Sequence, residues 1–293
     1  MKKFLLYLIA IIGVVVAFAL INDFATVAVI ERTSTDSAYK MKRLYGTPIS
    51  GEMPILGSSR AVNNYVPSLL STNCYDYGVS GLTAHELVHH IRAVAAHSGD
   101  APVIINIDPW GTLGGKFVGD YRLAPQSGLL GLSDRITGIR FHGALRPAVN
   151  RLLNERAAIA NVSDCGAVLL KAKRTPEDWM VINAREEPMT FKFNADLEQE
   201  LCDALRALAP RRAVLVVCPC SIRFMELFEG REALDAFLDR LSKIENVVVF
   251  NFYGDKSFAD EDFCNTKHFT LDGARKFTRM LVGKLKDERI LSD

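Results

Sequence analysis

Two short stretches near opposite ends of the chain hold residue types that can do nucleophilic chemistry together. Ile55-Leu56-Gly57-Ser58-Ser59-Arg60 puts a serine on a tight turn where an apolar run gives way to a polar one, and Phe263-Cys264-Asn265-Thr266-Lys267-His268 ends on a histidine. A serine between a strand and a helix exposes its hydroxyl, and its own amide lies among the unpaired donors of the helix start, where an oxyanion can be held. A histidine within hydrogen-bond reach takes the hydroxyl proton and returns it to a leaving group. A third stretch, His85-Glu86-Leu87-Val88-His89, reads literally as the H-E-x-x-H pattern that sets two zinc-binding imidazoles on one helix face. Against zinc, Ala95 stands where the extended pattern has a third histidine, and Glu86 lies three residues after Thr83, the spacing of a capping box. The other reading of this stretch is an amphipathic helix that turns His85, His89 and His90 toward solvent or a neighbouring helix. A zinc peptidase stays as a third functional alternative, and the serine site itself calls for no metal and no cofactor.

The elements that must position these residues alternate. Apolar runs at 53–56, 73–77, 103–107, 213–217 and 247–252 each stop at a turn signal such as Gly57-Ser58, Gly78, Asp108-Pro109 or Gly254. Helical patterns cover 62–70, 83–97, 197–208, 231–244 and 271–286. Strands alternating with helices imply a parallel sheet covered on both faces, with the ligand crevice beyond the carboxyl ends of the strands. That places the chemistry at Ser59, Gly81, Asp108 and the loop after Phe252. Residues 111–188 break the rhythm and read as an inserted, lid-like segment. Between 111 and 175 ten basic residues face four acidic ones, which suits either a solvated helix face or a docking surface for an anionic glycan, lipid headgroups or a membrane partner.

With these blocks in place, the chain from about 53 to 285 resembles the SGNH, or GDSL-type, hydrolase superfamily. It is most similar to a membrane-anchored branch with Gly-Ser-Ser-Arg at the nucleophile. The resemblance implies a three-layer, flavodoxin-like α/β fold. It implies Ser59 as nucleophile, the amides of Ser59 and Gly81 as oxyanion donors, and His268 as general base. Two positions depart from the family pattern. No asparagine follows the third strand, which leads into Asp108-Pro109-Trp110, so two donors are left for the oxyanion. The position three residues before the histidine is Asn265 rather than aspartate. An amide can orient an imidazole without stabilising the imidazolium, and that exchange costs a serine protease about 10⁴ in turnover. Asp255, Asp260 and Asp262 are nearby substitutes in sequence. Arg60 reads as either a substrate anion site or a partner for a carboxylate, and Asp108 and Trp110 as weaker substrate contacts. Trp110 and Trp179 could stack on a sugar ring, but isolated tryptophans are usually packing residues.

Lys2 and Lys3 precede an uncharged run of 18 residues, 4–21, which marginally spans a bilayer and points to a cytoplasmic N-terminus. Ala17-Phe18-Ala19 has the form signal peptidase accepts, but the apolar run continues past it, so an uncleaved anchor is the expectation. Residues 1–22 are then an anchor, 23–50 a stalk or a first amphipathic helix, and 51–293 an exported α/β domain. The six cysteines suit a compartment that permits disulfides, with no pairing readable. A net charge of +1, without basic runs interleaved with aromatics, argues against nucleic acid. The expected activity is esterase or O-acyltransferase chemistry on acyl, most simply acetyl, groups of a cell-surface glycan, with a membrane acyltransferase as candidate partner. The alternative is a catalytically impaired binding or assembly subunit of a polysaccharide acylation or export system.

Overall fold

A computed structural model describes residues 2–32, 35–46, 51–108, 161–191 and 195–291. Helix α1 (Lys2–Ile30) is exposed along the apolar run and is long and apolar enough to cross a membrane, a property a signal sequence shares. Helix α2 (Ser37–Gly46) follows. The core is a five-stranded parallel sheet of β1 (Met53–Leu56), β2 (Cys74–Asp76), β3 (Val103–Asn106), β7 (Ala213–Val217) and β9 (Val247–Asn251), in the order β2-β1-β3-β7-β9. All five are the apolar runs read from sequence. Such runs are expected where a parallel strand is covered on both sides. Alternate strand residues divide between two apolar clusters. Leu56, Ile105, Leu215 and Val217 meet α2, α5 (Ala84–Ala95), α7 (Ala195–Arg206) and α9 (Arg231–Ser242). Ile55, Ile104, Val214 and Val216 meet α3 (Ser59–Asn64), α4 (Pro67–Leu70) and α10 (Leu271–Asp287).

Strand β1 pairs with β2 on one side, Met53 opposite Cys74, and with β3 on the other, Ile55 opposite Ile104. The chain therefore leaves β1 in one direction and returns on its other side. The crevice of a parallel sheet opens at such a reversal.

Three sequence expectations need correction. The helix expected over 62–70 begins earlier, at Ser59, and breaks into α3 and α4. Pro67 excludes helical geometry from the residue before it, and Tyr65 and Val66 are extended. Residues 23–50 do not form a free stalk: α1 runs on to Ile30, and Ile30, Ala38, Met41 and Leu44 are buried against α5 and the sheet. The described part of the insertion expected within 51–293, residues 161–188, holds regular elements that the sequence reading did not assign. There β4 (Val162–Asp164) and β5 (Ala167–Leu169) form an antiparallel hairpin, followed by α6 (Pro176–Arg185) and, at 189–190, β6 (Met189–Thr190). Ala167, Leu169 and Trp179 are buried, which settles Trp179 as a packing residue. At the hairpin tip Cys165 accepts from the Asp76 amide at 2.8 Å, and Gly166 (φ 89°) lies so close to β2 that a Cβ would be 2.3 Å from the Asp76 carbonyl. The lid reading of 111–160, its share of the basic excess, and Trp110 fall outside the described residues. The short α8 (Ile222–Leu227) and β8 (Phe228–Glu229), which pairs with β6, complete the chain.

Phe277 of α10 is fully buried, its ring 5.5 Å from Tyr65 and Phe269 and 5.4 Å from Phe252. Phe277→Ala removes that shared wall and is expected to lower the unfolding free energy by about 3–5 kcal/mol, read from urea denaturation.

Candidate active site

The turn after β1 is set by one glycine. Gly57 has φ 146°, and a Cβ there would sit 2.9 Å from Asn106 Cβ and 3.1 Å from the Asn106 carbonyl, so β1 and β3 approach closely only because position 57 lacks a side chain. Ser58 is extended at the helix N-cap and Ser59 is the first residue of α3. On the other side of the site, Asn265 holds a tight turn together. Its Oδ1 accepts from the Lys267 amide at 3.0 Å, the His268 amide at 2.9 Å and His268 Nδ1 at 3.0 Å, while the Cys264 amide donates to the His268 carbonyl at 2.9 Å.

The two segments meet. His268 Nε2 lies 2.8 Å from Ser59 Oγ. With the ring hydrogen on Nδ1, where Asn265 accepts it, Nε2 presents a lone pair to the serine hydroxyl. Ser59, His268 and Asn265 thus form a continuous serine–histidine–amide series of contacts. The contact on Nδ1 comes from Asn265, and two of the aspartates named as substitutes, Asp262 and Asp255, have other partners. Asp262 binds Lys276 at 2.6 Å and Asp255 accepts the Ser257 amide at 2.9 Å.

A residue that sequence reasoning missed sets the register of this contact. Asn64, at the far end of the helix that Ser59 begins, accepts the Phe269 amide at 3.0 Å and donates to the Lys267 carbonyl at 3.2 Å. It grips the backbone on both sides of His268. Its only trace in the sequence is a polar residue where α3 turns inward.

Below the serine lies a buried polar network. Arg60 is inaccessible to solvent, donating to the Pro219 carbonyl at 2.8 Å and the Cys218 carbonyl at 2.5 Å, with Asp108 4.0 Å away. Of its two sequence readings it takes the second, as the partner of a carboxylate and carbonyls, and it cannot reach a substrate anion. Asp108 accepts from Ser58 Oγ in a short contact and from Asn106 Nδ2 at 2.9 Å. Burial pushes its carboxyl up, with Arg60 opposing. Asn106 is the asparagine nearest the third strand's end. Its oxygen accepts from Tyr65 Oη at 3.0 Å and Cys218 Sγ at 3.0 Å, so it supports the network instead of lining an oxyanion site. Gly81 (φ 79°) is exposed, with open space around the position of a Cβ. Its loop is tied to the nucleophile turn through the Val79 amide, which donates to the Gly57 carbonyl at 3.0 Å.

Around His268, Glu186 at the end of α6 accepts from Thr266 Oγ1 at 2.5 Å and pairs with Lys267 at 2.7 Å, and Arg174 donates to the Cys264 carbonyl at 2.8 Å. Burial, together with the positive charges of Arg60 and Lys267, draws His268 down to about 4. The imidazole is therefore neutral, and able to accept a proton, throughout the neutral range.

The His85 and His89 rings lie side by side, Nε2 to Nε2 at 3.4 Å, but Glu86 turns back to accept from the Thr83 amide and hydroxyl in the expected capping box. His90 is buried beside Tyr45. Among the described residues, no group of three or more His, Cys, Asp or Glu is placed to hold a metal ion.

No family model and no curated protein matches the chain. Among solved structures, the chain is similar to a protein from Streptococcus pneumonia named after platelet activating factor. The two share 11% identity over 94% of this chain and 98% of the other, at a TM-score of 0.43. What the fold and the site define is a parallel α/β protein with a serine and a histidine in hydrogen-bond contact at the carboxyl edge of its sheet.

Three expectations follow. Asn64→Ala leaves a carbonyl and an amide beside His268 without their partner and should cost about 2–4 kcal/mol of stability, measured by denaturant unfolding. An NMR titration of the His268 ring should show a midpoint near 4 in the folded protein against about 6.5 unfolded. Between those values the unfolded chain binds the proton and the folded one does not, so this group makes stability fall as pH drops from 6.5 to 4 and adds no further loss below. Asn265→Asp places an anion on Nδ1 and should move the folded midpoint upward.

Proposed function

We propose that the chain is an SGNH-type serine esterase or O-acyltransferase of three-layer, flavodoxin-like fold, anchored by α1 with its α/β domain outside the cytoplasm, and that it acts on acyl groups of a cell-surface glycan. The observation that carries the chemistry is the 2.8 Å contact of Ser59 Oγ with His268 Nε2, backed by Asn265 on the opposite ring nitrogen. Ser59 Oγ attacks the acyl carbonyl while its proton passes to Nε2. The negative oxygen that forms is met by the amides of Ser59 and Gly81. When the carbon–oxygen bond to the leaving alcohol breaks, His268 gives that alcohol the proton and Ser59 retains the acyl group as an ester. A water molecule or a glycan hydroxyl then repeats the sequence in reverse, losing its proton to His268. Hydrolysis and transfer differ only in this acceptor.

The glycan assignment is supported by the resemblance to the anchored Gly-Ser-Ser-Arg branch and by an N-terminal helix of membrane-spanning length and composition. The amide of Asn265 favours a second reading, a catalytically weak subunit that assists a membrane acyltransferase, because a neutral partner leaves the imidazolium unstabilised.

Turnover of p-nitrophenyl acetate by the full chain in detergent tests the first reading. Ser59→Ala and His268→Ala should each reduce it by at least on the order of 10³. Equal rates in wild type and Ser59→Ala would end the catalytic reading. Asn265→Asp should raise turnover and move the acidic limb of the pH–rate profile upward; a large gain from a dead baseline would favour the assisting subunit instead.

A further inference from the structure

Among the buried cations of the described residues, Lys40 lies outside the network beneath Ser59. Lys40 projects from α2, is 1% exposed, and donates from Nζ to the Gly78 carbonyl at 2.8 Å, with Asp76 Oδ1 3.5 Å away. The same Asp76 oxygen accepts the Gly78 amide at 2.5 Å. Gly78 is thus held from both of its peptide groups by one ion pair. Among the described residues no other donor reaches its carbonyl.

Gly78 also touches the nucleophile helix. A Cβ there would lie 2.7 Å from Ala61 Cβ and 3.0 Å from the Val62 amide nitrogen, so Gly78 packs directly on the first turn of α3, which starts with Ser59. Three residues on is Gly81. A second cation on the same helix helps hold this strand end. Arg43 donates to Tyr77 Oη at 2.8 Å, forms a short ion pair with Glu52 and lies 4.6 Å from the Tyr75 ring. Core stability alone does not explain a lysine here. Taking both charges out of water is costly, and an apolar side chain of similar volume would avoid that cost. What the lysine adds is a donor aimed at one carbonyl of one loop.

We infer that Lys40 is a positioning residue for the oxyanion loop: through it, α2 holds residues 78–81 in register with the helix that begins at Ser59, so the reactivity of Ser59 depends on the segment that adjoins the membrane helix. This rests on the reading of Ser59 and Gly81 given above. Ile30 at the end of α1 and Met41 of α2 are both fully buried in one cluster, so the end of the apolar helix belongs to the same core as α2.

The test compares the wild-type full chain in detergent with Lys40→Met and with Lys40→Met/Asp76→Asn. The single change strands a buried carboxylate and is expected to destabilise. The double change removes both charges and keeps an oxygen for the Gly78 amide, so it carries the test if the single variant fails to fold. In the double variant, cooperative thermal unfolding should persist. Amide hydrogen exchange at 78–81 should quicken at least tenfold while exchange in β7 holds. The Ser59-dependent kcat for p-nitrophenyl acetate should fall at least tenfold, with KM within twofold. A folded double variant with wild-type exchange at 78–81, or with wild-type kcat, overturns the inference. Should wild type show no Ser59-dependent turnover, the catalytic reading fails by itself. The exchange measurement then decides whether Lys40 positions the loop: faster exchange upholds that role and unchanged exchange ends it.

Discussion

Ser59 and His268 are 209 positions apart, yet a proton can pass between them only if their side chains stay within a few tenths of an ångström of contact. The side chain of Asn64 answers that requirement. It belongs to the helix that Ser59 begins and binds the backbone immediately before and after His268, so serine and histidine share one short rigid path. Around this clasp Tyr65, Phe252, Phe258, Phe269 and Phe277 pack in offset and edge-on pairs. Their burial keeps water from competing for the two Asn64 bonds. The catalytic reading and the stability of the α3–α10 face therefore depend on the same few side chains.

The charge arrangement has a consequence for the chemistry. Arg60 sits under the serine with no solvent contact, its hydrogen bonds taken by carbonyls and its nearest carboxylate, Asp108, also bound by Ser58 and Asn106. Burial first, and then the positive charges of Arg60 and Lys267, keep His268 neutral, and Asn265 supplies no negative charge to offset them. The imidazole is oriented well and stays neutral, but it is a weak base, and once protonated it gives the proton up readily. Close backbone approach allows the network to fit: at Gly57 and Gly78 a methyl group would collide with Asn106, Ala61 or Asp76.

Much of this protein was legible in its amino-acid order because the signals are local. The five sheet strands are mostly apolar runs, each followed within a few residues by Gly, Pro or Asp, and central parallel strands covered on both faces read that way. The Thr83–Glu86 capping box and the turns at Gly57 and Asn265 are set by residues within three positions of one another. Even the break at Pro67, overlooked as a helix interruption, was written in the chain.

Partnerships between distant polar residues were decided by tertiary structure alone. Nothing around Asn64 announces His268, nothing around Lys40 announces Gly78, and Arg60 had two equal readings until the order β2-β1-β3-β7-β9 set it under Cys218 and Pro219. The physical reason is that periodicity records which face of a segment is buried, whereas the partner of a buried polar group depends on which strands become neighbours. That choice is made by the whole sheet, and it buried part of the segment read as a stalk or first amphipathic helix in the core of the domain.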